Sequence, residues 1–220
     1  PPTDGREKPA IETEIEEILG AVAAMNGSRV NDLLVRSLVT RGPDSFVMDL
    51  LPLLLERTGE QWREKSICPA HEHLLSASLQ RLLGWTMGQL SAPENAPVLI
   101  SVTPTGQRHE MGALMCAILA ASHGWRVEYL GPDLPAADIA RAAASTGARI
   151  VALSVVHRTS SDALVSEIRS LRGHISSNVT IMVGGREAHR HRDKITRTGA
   201  ILLDSLEEFR DYLIGSATQA

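Results

Sequence analysis

The chain holds 220 residues with a formal net charge of −4, and it is 43% hydrophobic and 22% charged. That is enough for one large domain or two small ones with a sizeable core, and it lacks the run of roughly 20 apolar residues that a membrane helix requires. Neither cysteine, Cys68 or Cys116, stands in a CxxC pattern, which excludes a disulfide framework and a Cys-based zinc site and fits a reducing cytoplasm, while the acidic balance argues against binding nucleic acid by charge alone.

Pro1 rather than Met stands first, without the basic and apolar regions of a signal peptide, so a processed or truncated product with sequence missing upstream is expected. Residues 1–10 combine three prolines with charged residues and no apolar periodicity, which predicts a disordered leader or linker. From Ile11 to about Ala92 apolar residues recur at helical spacing, as in Ile11, Ile15, Ile18, Leu19 and Val30, Leu33, Leu34, Leu38. Breaks at Asn26-Gly27, Arg41-Gly42-Pro43 and Cys68-Pro69 divide this stretch into helices over 11–25, 28–41, 44–65 and 70–90, an antiparallel four-helix bundle occupying 11–92. After Ser91-Ala92-Pro93 short apolar strands alternate with helices, the pattern of a parallel α/β sheet over 93–220. The strands are expected at 98–102, 126–130, 150–156, 179–183 and 200–203, with helices at 111–123, 136–146, 162–171, 188–198 and 206–214. The fold class is therefore α plus α/β, with a five-stranded doubly wound sheet whose ligand sits beyond the carboxyl ends of the strands.

Those ends carry the chemistry. The first strand runs into Pro104-Thr105-Gly106-Gln107-Arg108-His109-Glu110-Met111-Gly112, the third ends in Ser154-Val155-Val156, and the fourth in Gly184-Gly185. Taken singly these are ambiguous: a loop histidine is as well read as a solvated side chain, and a Gly-Gly pair is either a plain turn or a place where backbone approaches a ligand closely. Neither GxGxxG nor GxxxxGK[ST] follows a strand, and the first strand lacks the paired carboxylates that would hold magnesium.

Together, His109-x-x-Gly112, 41 residues to Ser154, and 27 further residues from Val156 to Gly184-Gly185 resemble the DxHxxG…SxL…GG pattern of cobalamin-binding domains. The resemblance implies a flavodoxin-like domain in which His109 replaces the cofactor's own base as lower ligand to cobalt. Ser154, Val155, Val156, Gly184 and Gly185, with Thr105, Gly106, Gln107 and Gly112, would then line the slot for the displaced base. Two positions depart from the pattern. Gln107 stands where the family has Asp, and it is expected to accept the imidazole's second hydrogen bond without the charge, giving His109 less electronic push. Val156 stands for Leu, a volume change in an apolar wall.

In the helical half, Trp62, nine intervening residues and Glu72-His73 resemble the cap of light-sensing adenosylcobalamin regulators of the CarH and LitR type. That implies an upper face built from Trp62, Glu72 and His73, where a tryptophan offers a broad apolar surface and a carboxylate accepts from adenosyl hydroxyls. Read without the resemblance, Trp62 is a core residue and Glu72-His73 a solvated helix face. Arg63 follows Trp62 where the characterised photoreceptors have a second cobalt-binding His, which leaves His71, His73 or water for that position. Trp85 and Trp125 read as packing residues.

The basic run Arg186–Arg197 is either a solvated helix face or a contact for corrin, subunit or DNA, and His189 and His191, two apart, do not share a helix face. The resemblance implies a non-enzymatic adenosylcobalamin sensor, with homo-oligomerisation and DNA binding through an upstream domain, or with a repressor protein as partner in the AerR manner. The alternatives are a corrinoid carrier for methyl transfer and a sheet without cofactor.

Overall fold

The computed structural model describes the backbone of residues 7–217 and the side chains of residues 11–216. The chain divides into two compact units, 1–88 and 89–220, a few residues before the boundary expected at Ser91-Ala92-Pro93. Residues 1–6 of the expected leader lie outside the described residues, and the first helix already runs from Glu7. None of the helices among the described residues is long and apolar enough to cross a membrane.

The first unit is helical: α1 (Glu7–Ala23), α2 (Gly27–Ser45), α3 (Leu51–Arg63) and α4 (Pro69–Gln89). Asn26 caps α2 through its side chain, which accepts from the Arg29 N–H at 3.0 Å. The backbone of α2 leaves helical geometry at Gly42, with φ 75° and ψ 163°, directly before Pro43, so the break lies where the Gly-Pro pair predicts it. Beyond it a π-helical turn, Phe46–Leu50, leads into α3, where Pro52 supplies no N–H to continue the regular ladder. Ile15, Ile18, Val22, Leu34, Phe46, Leu50, Leu54, Leu79 and Leu83 form the buried interior. Glu14 on α1 accepts from the Arg41 guanidinium at 3.1 and 2.5 Å and from the Ser37 hydroxyl, an ion pair that ties α1 to α2.

The second unit is a sheet of five parallel strands in the order β2-β1-β3-β4-β5: β1 (Val98–Pro104), β2 (Arg126–Leu134), β3 (Ile150–Ser154), β4 (Thr180–Gly184) and β5 (Ile201–Leu202). The connecting helices are α5 (Met111–Ser122), α6 (Ala136–Thr146), α7 (Ser161–His174), α8 (Arg192–Thr196) and α9 (Leu206–Ala217). Strand residues alternate between two buried faces: Ile100, Val102, Val151 and Ile181 share one core with Ile139, Leu164, Ile168 and Ile195. On the other, Ser101 donates to the Ala113 carbonyl of α5 at 2.7 Å. Trp125 is buried and its indole N–H reaches the Leu213 carbonyl of α9 at 3.3 Å, the packing role expected of it.

Several expectations are corrected here. β2 continues past Leu130 to Leu134 through Gly131 and Pro132, which an edge strand tolerates because its outer N–H groups have no partner strand. The helix expected over 188–198 is a 3₁₀ turn, Ala188–His191, followed by the short α8, and His189 and Arg192 both lie against Asp204. Trp85 is not a packing residue: it is 62% exposed and lines an apolar groove of about 350 Å³ with Leu34, Val35 and Leu82.

Candidate functional site

In this strand order the chain leaves β1 toward β2 on one side and returns to β3 on the other, so the crevice of an open α/β sheet lies at the carboxyl ends of β1 and β3. The loop 105–110 after β1 and the loop 155–160 after β3 meet there. His109 is exposed in the first loop, and its ring centroid lies 5.6 Å from that of His157, also exposed, in the second, with the planes tilted by 38°.

The first loop is tightly built. Gly106 takes φ 82° and donates its N–H to Asp133 Oδ1 at 2.7 Å. Asp133, at the end of β2, itself adopts φ 63°, and its own N–H reaches Thr103 Oγ1 and the Gln107 carbonyl. Arg108 lies 3.5 Å from the Asp133 carboxylate, and Thr105 donates to Glu167 of α7 at 2.9 Å. Glu110 accepts from the Tyr129 hydroxyl, and burial, reinforced by this carboxylate, raises the Tyr129 phenol above its usual range. Neither Asp133 nor Glu167 was singled out from sequence; the polar residue closing the apolar run of β2 is the signal that could have found the first.

Gln107 departs from the role expected for it. Its buried amide oxygen accepts from the backbone N–H of Val156 at 3.0 Å and of His157 at 2.8 Å, and its NH₂ donates to the His157 carbonyl at 2.9 Å. Both lone pairs of that oxygen are thereby taken. The bond to the His109 imidazole expected from sequence is therefore not made; the Gln107 side chain clamps the second loop instead.

Two glycines of the expected set have a steric reason. A Cβ at Gly112 would stand 2.5 Å from Ser154 Oγ and 3.5 Å from its Cβ, so a side chain there would meet the serine hydroxyl. At Gly185, with φ 103°, a Cβ would stand 2.5 Å from the Val155 carbonyl oxygen and 3.0 Å from Val156. Gly184 is different, since its Cβ would meet only Leu203 at 3.9 Å, an ordinary contact. Thus two tight contacts, Gly112 with Ser154 and Gly185 with Val155 and Val156, bring the start of α5 and the turn after β4 against the end of β3, where the loop that carries His109 also lies.

The helical unit holds the remaining expected residues around the connection between α3 and α4. Trp62, in the last turn of α3, is 54% exposed and so is not the core residue that one sequence reading allowed. Glu72, in the first turn of α4, accepts from Ser76 at 2.7 Å, and His73, largely exposed, sits 3.5 Å from its carboxylate. His71 uses Nδ1 to accept from the Cys68 N–H at 3.1 Å, with Cys68 Sγ at the same distance.

The basic run after Gly185 is largely paired: Arg190 with the buried Glu187, Arg192 with Asp204, and Lys194 with Asp162 at 3.1 Å. The Lys194 ammonium holds the Asp162 carboxyl below its usual range, first by hydrogen bond and then by charge. His189 and His191 go to different carboxylates, Asp204 and Glu187, as their spacing predicts. Among the described residues there is no cluster of three or more His, Cys, Asp or Glu side chains placed to hold a metal.

Comparison with known proteins places these features. Residues 97–208 match the B12 binding domain family, and residues 14–85 match a second family also described as a B12 binding domain. Two repressors of Myxococcus xanthus align over most of the chain. The HTH-type transcriptional repressor CarH is 28% identical over 95% of this chain and 69% of its own length, and the HTH-type transcriptional repressor CarA is 30% identical over 92% and 68%. Among solved structures, the monomethylamine corrinoid protein of Methanosarcina barkeri superposes with a TM-score of 0.73 at 16% identity, covering 93% of this chain and 99% of that one, a likeness of fold. With both units matched by B12 binding domain families, a flavodoxin-like strand order and regulatory relatives aligned over most of its length, the chain belongs to the B12-binding domain family, as a CarH-type cobalamin-binding module.

Proposed function

We propose that the chain is the adenosylcobalamin-binding, light-responsive sensor module of a transcriptional regulator, and not an enzyme. The observation that carries this reading is an exposed His109 in the loop after β1, at the carboxyl end of a sheet whose neighbouring strand ends are closed by the tight contacts of Gly112 with Ser154 and Gly185 with Val155. His109 would hold the cobalt from below: a single imidazole would suffice for a metal whose other donors belong to the corrin ring. Ser154 and the backbone around Val155, Val156, Gly184 and Gly185, with Thr105, Gly106 and Gly112, would hold the displaced base, and Gln107 would act by clamping the Val156–His157 loop beside it.

Trp62, Glu72 and His73 would take the adenosyl side; Trp62 and His73 are exposed, and the half-buried Glu72 is held by Ser76. Adenosylcobalamin supplies a cobalt–carbon bond that light homolyses. Trp62 and Glu72 contact only the adenosyl-bearing state, and a ligand that differs between two states in this way biases the equilibrium between them. Arg63 would give cobalt no imidazole at the position following Trp62; His71 through Nε2, His73 or water would remain for it. The output is self-association, coupled to DNA through a segment outside these residues or to a repressor protein. The names of the two Myxococcus relatives support a regulatory output.

The test is the absorption spectrum of the protein loaded with adenosylcobalamin in the dark, recorded before and after green light, with size-exclusion chromatography of both samples. A light-driven spectral change, a shift in assembly, and binding weakened at least about 10-fold in His109→Ala are expected. Binding of methylcobalamin with methyl transfer to a partner enzyme and no change of assembly would assign a corrinoid carrier instead. Absence of any cobalamin binding would overturn the reading.

A further inference from the structure

An imidazole that ligates a metal through one nitrogen needs an acceptor for the N–H on the other, because that bond fixes the tautomer and raises the ligand's basicity. Gln107 does not supply it, since its amide oxygen already accepts two backbone N–H groups. The aromatic ring that lies beside His109 is His157. Two imidazoles joined by an N–H···N bond of ordinary length have centroids roughly 5 to 5.5 Å apart, so the observed 5.6 Å stands just beyond bonding distance.

What puts His157 there is Gln107 itself. The one side chain brackets both main-chain polar groups of His157, accepting from its N–H and donating to its carbonyl. A carboxylate at position 107 has no proton to donate to that carbonyl, so this bracket needs an amide. The substitution that removes an acidic partner from His109 thus also fixes the residue able to replace it.

We propose that His157 is the hydrogen-bond partner of His109 and that Gln107 is the residue that positions it. This rests on His109 being the cobalt ligand. His157 accepts the His109 N–H through a neutral ring nitrogen, which orients the ligand with less electronic push than a carboxylate gives. Two loops from neighbouring strands thereby act as one unit: the first provides the ligand, the second its orienting base, and Gln107 joins them.

The experiment is electron paramagnetic resonance of the full chain loaded with cob(II)alamin, with titration of the affinity in parallel. Wild-type protein is expected to show superhyperfine splitting from one histidine nitrogen. His157→Phe, which keeps a flat ring and removes its nitrogens, is expected to weaken binding about 10-fold and to raise the fraction of signal without histidine splitting. His157→Gln, which keeps an acceptor, is expected to recover most of both. Gln107→Ala is expected to reproduce the His157→Phe defect, and the double variant to add nothing to it, with far-UV circular dichroism confirming that each variant is folded. A His157→Phe protein with wild-type spectrum and affinity would overturn the proposal, as would additive losses in the double variant. Wild-type spectra without histidine splitting would overturn the ligand assignment beneath it, a distinct result.

Discussion

Single side chains at this site are chosen by what they exclude as much as by what they bind. Gly112 is the clearest case: its Cβ would stand 2.5 Å from Ser154 Oγ but 3.5 Å from Ser154 Cβ, so the hydroxyl alone is in the way. Gly112→Ala is therefore expected to destabilise the protein by about 2 kcal/mol in the presence of Ser154 and by a fraction of that in a Ser154→Ala background. Urea unfolding of the four proteins measures this coupling, and equal costs in both backgrounds would contradict the geometry. The pairing was legible in sequence only as two letters of one motif. That Gly185 is required by its φ of 103° and by the Val155 carbonyl, whereas Gly184 meets nothing closer than 3.9 Å, is a distinction no Gly-Gly dipeptide carries.

Helices and strands show which local signals survive packing. The Gly-Pro break in α2 does, because glycine alone reaches φ 75° without strain and proline cannot continue the ladder. An alanine there meets no neighbour within 4 Å, so its cost is purely conformational. Gly42→Ala is expected to lose about 1 to 2 kcal/mol, read as a lower urea midpoint at unchanged slope. A stability equal to wild type would mean that α2 straightens through the position. The π-helical turn after it and the broken segment at 188–196 were not legible, since each answers to partners distant in sequence: the core that buries Phe46 and Leu50, and the Asp204 that draws His189 and Arg192.

The two units are joined by an exposed link. Between α4 and β1, residues 90–97 carry no helix or strand, and Ser91, Pro93, Glu94 and Asn95 are exposed. Limited digestion with a glutamate-specific protease is expected to cut at Glu94 and to release two resistant fragments, 1–94 and 95–220, each holding one compact unit. First cleavage within a helix would contradict that division. Apolar period and punctuation in the sequence were enough to place two architectures, four helices and five alternating strands, in their order, because period 3.6 and short apolar runs bounded by turns follow from local geometry. His109, Gly112, Ser154, Gly184 and Gly185 were legible only together, through their resemblance to a family pattern, and not from local geometry. The partners of Gln107, the proximity of His157 and the solvent position of Trp85 were not, because they depend on which strands become neighbours and which faces remain uncovered. Strand neighbours are chosen by the packing of the whole sheet, and a side chain with several possible hydrogen-bond partners takes those that packing brings within reach.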